Sequence, residues 1–65
     1  MSVVERLNQS VARARRLGFT VRMEPMGGAG TDWCEIAGRV HLFIDLQQST
    51  SEQCEAVTEI LQRWR

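Results

Sequence analysis

The stretch WCEIAGRVHLFIDL, residues 33–46, decides the fold. Its second half alternates. Val40, Leu42, Ile44 and Leu46 point one way and His41, Phe43 and Asp45 the other, which is the two-residue period of a strand. Its first half alternates as well, with Cys34 and Ile36 set against Trp33 and Glu35. Gly38 and Arg39 between the halves predict a tight hairpin turn. Residues 33–37 and 40–46 therefore read as two paired strands.

Upstream, Phe19, Val21 and Met23 alternate with Thr20, Arg22 and Glu24, so residues 19–24 predict another strand. Pro25 ends it, because proline has no amide to give a ladder. The connection PMGGAGTD, residues 25–32, is the one flexible-looking segment. Its length leaves the place of the first strand in the sheet open.

Helices flank the strands. Val3, Val4, Leu7, Val11, Ala14 and Leu17 recur at three- and four-residue steps, predicting a helix over 3–17. Ser2 with Glu5 forms the signature of a capping box, and Gly18 is placed to end the helix in a left-handed conformation. Residues 50–64 predict the second helix, with Cys54, Val57, Ile60, Leu61 and Trp64 as its apolar stripe. Ser49 with Glu52 forms a second capping box at its start, and Thr50 with Gln53 could serve instead. Glu52 and Glu55 near that start, and Arg63 and Arg65 at the end, suit the helix dipole.

The order is helix, strand, strand, strand, helix. Each helix has one apolar face, so both need the same apolar layer. The expected fold is a single α+β domain over residues 1–65: a three-stranded antiparallel sheet with both helices on one face. The core layer of the sheet is expected from Val21, Met23, Cys34, Ile36, Val40, Leu42, Ile44 and Leu46.

Composition bounds the function. The chain has 65 residues and zero formal net charge, from eight arginines, no lysine and eight acids. A chain this short buries only about 60% of its unfolded surface, so a partner copy would add stability. Charge is segregated. Residues 1–24 carry five arginines against two glutamates, and residues 25–65 three arginines against six acids. Such segregation suits internal pairing or self-association. No run of apolar residues is long enough to span a membrane. Glu5, Arg6, Arg13, Arg15 and Arg16 break the stretch where an export signal needs an uncharged core, so a reducing cytoplasm is expected. Cys34 and Cys54 then read as free thiols.

In this fold one sheet face has no cover. It is expected to carry Arg22, Glu35, Trp33, His41 and Phe43, together with Glu24 and Asp45. Two large aromatics on neighbouring strands would make an apolar patch, and tryptophan is enriched at binding hot spots. The leading expectation is a homo-oligomer, a dimer first, built on that face. An unidentified second protein is the alternative occupant.

Catalytic signals are sparse. GGAG, residues 27–30, lacks the lysine and the following helix of a phosphate loop. Gly27, Gly28 and Gly30 could still bare backbone donors to an anion, with His41 and Glu35 completing a ligand or catalytic site. No nucleophile is placed beside them, since Cys34 is expected in the core. No metal-ligand spacing and no cofactor motif occur, and the two cysteines lie twenty residues apart. No enzyme activity is expected.

The element order is similar to that of the double-stranded-RNA-binding domain. The resemblance implies a basic cluster at the start of the second helix. Here that stretch is STSEQCE, residues 49–55, polar to acidic. The basic patch lies instead on the first helix, at Arg6, Arg13 and Arg16, which is the alternative nucleic-acid surface. Zero net charge removes the long-range attraction such binding uses.

Overall fold

Reciprocal caps set the start of both helices. In the computed structural model, which describes residues 1–64, helix α1 spans Val3–Arg16 and helix α2 spans Thr50–Arg63. The Ser2 hydroxyl accepts from the Glu5 amide while the Glu5 carboxylate accepts from the Ser2 amide; Ser49 and Glu52 repeat the exchange. Each box satisfies two amide donors that the first turn leaves orphaned. Arg63 lies in the last turn of α2 as the dipole favours; Arg65 falls outside the described residues.

Gly18 ends α1. At φ +101° it lets the Phe19 amide donate to the Ala14 carbonyl and the Gly18 amide to the Arg15 carbonyl. This is the Schellman pattern, and it turns the chain straight into strand β1, Thr20–Glu24. Phe19 is carried into the core beside Ala14, both almost fully buried.

Strand β2, Asp32–Ile36, and strand β3, Arg39–Asp45, form the expected antiparallel hairpin. Ala37 and Gly38 are its two turn residues, both with positive φ, at +53° and +79°. That is a type I′ turn, whose twist matches the strands, and it sits one residue earlier than the sequence suggests.

The sheet order is β1-β3-β2, and β1 runs parallel to β3. The α+β class and the element order stand, but the expected all-antiparallel sheet is corrected to a mixed one. The cause is residues 25–31. They leave the end of β1, pass over the end of β3 and enter β2 two strand spacings away, roughly 10 Å. Strand β3 then returns between the two. It is the strand with apolar residues on both faces, so the centre is where it buries most.

Asp45 holds that crossing in place. It is 2% exposed at the end of β3. Its Oδ1 accepts from the Met26 amide at 3.3 Å and the Gln47 amide at 2.9 Å. Its own amide donates to Thr31 Oγ1, and its carbonyl accepts from the buried Gln53 side chain on α2. One residue thus ties the loop, the strand end and the second helix together.

Both helices cover one face, as expected. They pack on each other, α1 also against β1 and α2 against β2 and β3. Each turns back along the strand it adjoins, and β1 and β3 are parallel, so the helices run the same way. The core consists of Leu7, Ala14, Phe19, Leu42, Ile44, Cys54, Val57 and Leu61, with Val21 and Val40 packed against it. Four expected core residues lie elsewhere. Met23 is 49% exposed on the edge strand β1, and Leu46 is 53% exposed just past the end of β3. Cys34 and Ile36 are on the opposite face of the sheet. Among the described residues, no helix is long and apolar enough to cross a membrane.

Candidate interaction face

Strand register sorts the exposed side chains into rows across the bare face. Arg22 on β1, Phe43 on β3 and Asp32 on β2 pair into one row. Thr20, His41 and Cys34 form the next, and Arg39 with Ile36 closes the face at the hairpin end. His41 and Phe43, two apart on β3, stack with their ring planes 17° apart and centroids 6.2 Å apart. Both are half-buried by neighbours alone, and Ile36 is 53% exposed. Arg22 Nε meets Glu24 at 2.9 Å, and the Arg22 side chain is exposed.

Of the residues expected on this face, Arg22, His41 and Phe43 come together. Trp33 and Glu35 do not. They pair with Leu42 and Val40, on the helix side. The reason is arithmetic. In a hairpin with a two-residue turn, opposed residues differ by an odd number, so even positions on β2 face odd positions on β3. Cys34 and Ile36 must therefore share the face of His41 and Phe43. A two-residue turn carries that parity in the sequence itself; residue type alone misassigns β2.

Trp33 ends up as the outer member of an aromatic run. Trp64, just beyond α2, lies between Phe19, at 4.7 Å between ring centroids, and Trp33, at 4.9 Å and nearly perpendicular. Glu35 and Arg63 border the shallow cleft beside the two tryptophans. Trp33 therefore helps to close the end of the helix layer.

The same register separates His41 from Glu35, so a site joining them to the glycine loop does not assemble. Gly27, Gly28 and Gly30 have positive φ and sit over the far end of β3. His41 is four residues from Asp45, about 13 Å along the strand. Among the described residues, no three of His, Cys, Asp and Glu gather where they could hold a metal.

Arg6, Arg13 and Arg16 line one side of a shallow groove whose other side is Cys54 and Thr58 of α2. Ion pairs among the described residues are Arg22–Glu24 and Arg63–Glu59, so these three arginines are unpaired there. Glu55 and Glu59 lie close to Arg6 along the adjoining surface.

No protein-family model, no curated protein and no solved structure matches the chain.

Proposed function

We propose that this chain is a self-associating interaction module and that the bare sheet face is the contact between copies. The observation that carries the reading is the uncovered centre: Phe43 stacked on His41, with Ile36 and Cys34 beside it. The part of Phe43 that its neighbours leave open, and Ile36 at 53% exposed, are costly to leave in water, and a second copy covers them. The rim favours the same occupant. Arg22 and Arg39 are matched by Glu24 and Asp32, so two copies meet without net repulsion. A domain of this size also gains stability from association by mass action.

The test is solution mass by light scattering coupled to size exclusion, over a hundredfold range of concentration. Phe43→Ser is expected to hold the protein monomeric with its helical content intact. Trp33→Ser, on the other face, is expected to leave the mass unchanged. A monomer at every concentration refutes the reading.

A second reading rests on the unpaired arginines of α1. Arg6, Arg13 and Arg16 lie along one exposed helix face and could neutralise phosphates of nucleic acid. Titration of duplex RNA and DNA at low salt tests it, with a triple Arg→Gln variant as the control. No mobility change at tens of micromolar protein removes it, since non-specific binders reach about that range.

A further inference from the structure

We infer that two copies of this chain pack their bare sheet faces about a two-fold axis running along β3, pairing Arg22 of each copy with the partner's Asp32. The inference rests on the self-association reading and goes beyond it, to the geometry and the residues that set it.

The row Arg22–Phe43–Asp32 sets the axis. It is antisymmetric: a cation on one edge strand, an aromatic ring at the centre, a carboxylate on the other edge. A two-fold that lays Phe43 on the partner's Phe43 can run along β3 or across it. The axis across the strands stacks β1 on the partner's β1, so Arg22 meets the partner's Arg22 and Asp32 the partner's Asp32. The axis along β3 exchanges the edges. Arg22 then faces the partner's Asp32 twice, and the two ion pairs flank the apolar centre. Isologous contacts are self-complementary in this sense.

The side-chain contacts allow this pairing. Glu24 meets Arg22 at Nε, and Asp32 accepts from the Trp33 amide at Oδ1. The pair across the axis takes the terminal guanidinium nitrogens and the second carboxylate oxygen. The arrangement also opposes like groups along β3: exposed Arg39 faces the partner's Arg39, while Asp45, which would face the partner's Asp45, is 2% exposed with its carboxylate held by the Met26 and Gln47 amides. Aligned sheets cross at about 30°, which separates the two sides at the ends of the face. Arg39 is at such an end and exposed.

The face is small. Three strands about 4.8 Å apart make it roughly 14 Å wide, and β3 is about 23 Å long. That is below the roughly 1,200 Å² total of standard interfaces, so association is expected to be weak and the charged row to decide its geometry.

Charge exchange tests the axis. R22E places acid against the partner's acid at both flanks, and D32R places arginine against arginine. Each alone is expected to weaken association about tenfold or more. Mixed one to one, the two variants restore both opposite-charge pairs and are expected to associate as tightly as the parent. The double variant R22E/D32R restores them within one sequence, which keeps the test valid should the new carboxylate of R22E, beside Glu24, destabilise the single variant. Sedimentation velocity reads association, and circular dichroism confirms the fold of each chain. Weakening of each single variant with rescue by the double variant supports the axis; the mixture gains opposite-charge pairs about the transverse axis too, so it counts only beside the double variant. Weakening without that rescue, or no weakening, overturns the axis and leaves the face intact as the contact. A parent chain that never associates overturns both.

Discussion

Removing the Asp45 carboxylate should come close to unfolding this protein. In Asp45→Ala the Met26 and Gln47 amides lose their acceptor, at 3.3 and 2.9 Å in the intact chain. Hydrogen bonds to a charged acceptor contribute about 1.5–3 kcal/mol each, and the longer one falls at or below the low end. The sum is about 3 kcal/mol. A domain of this length has roughly 3–10 kcal/mol of stability in all. The loss is therefore a large share of the total, from one exposed-looking acid in the sequence. Asp45→Asn keeps an oxygen at Oδ1 and should lose about 1 kcal/mol. Urea unfolding followed by circular dichroism measures both. Hydrogen exchange at Met26 and Gln47 should accelerate in the alanine variant before any change in the helices. A loss under about 1 kcal/mol for Asp45→Ala, with those amides still protected, refutes the view that this carboxylate holds the crossing.

Four further outcomes are expected from the same structure. Ala37→Asn should stabilise by about 1 kcal/mol in urea, because Ala37 is held at positive φ and asparagine followed by glycine suits the turn. Ser49→Ala should cost about 1 kcal/mol, read by thermal melting, through loss of the cap on α2. Trp64→Ala should cost about 2–4 kcal/mol and shift Trp33 fluorescence to the red, since Trp64 fills the space between Phe19 and Trp33. Arg39→Ser should tighten self-association severalfold in sedimentation, because it deletes the exposed like-charge pair across the inferred axis.

Local signals were legible and long-range ones were not. Ser2, Glu5, Ser49 and Glu52 announce both helix starts, and Gly18 announces the end of α1, because caps and left-handed turns depend on residues within one turn of the chain. The alternation of residues 40–46 likewise exposes β3. Where β1 pairs is a different kind of question. Its neighbour is fixed by a seven-residue crossing whose anchor, Asp45, lies fourteen or more residues further on. The apolar character of both faces of β3 was the available sign that it belongs in the middle. A second available sign was the spacing of Asp45 and Gln47, the Asx-turn pattern in which a side chain caps the backbone two residues on. On the candidate face, Arg22, His41 and Phe43 were readable from β1 and β3. Trp33 misled because a large aromatic on an edge strand suits either side, and only the parity of the turn distinguishes them.

The strand at the centre of the sheet is the last of the three to be synthesised. Until residues 39–45 have emerged, β1 has no partner, since it pairs with β3 alone and never with β2. Strands β2 and β3, joined by a two-residue turn, can zip together in microseconds. Strand β1, waiting with α1 already capped behind it, can only add to that hairpin afterwards. The rate-limiting step of folding should therefore be the docking of residues 1–24 onto a preformed β2–β3 unit. Substitutions at Leu42 and Ile44 would then slow folding, while the effect of those at Val21 would divide between slower folding and faster unfolding.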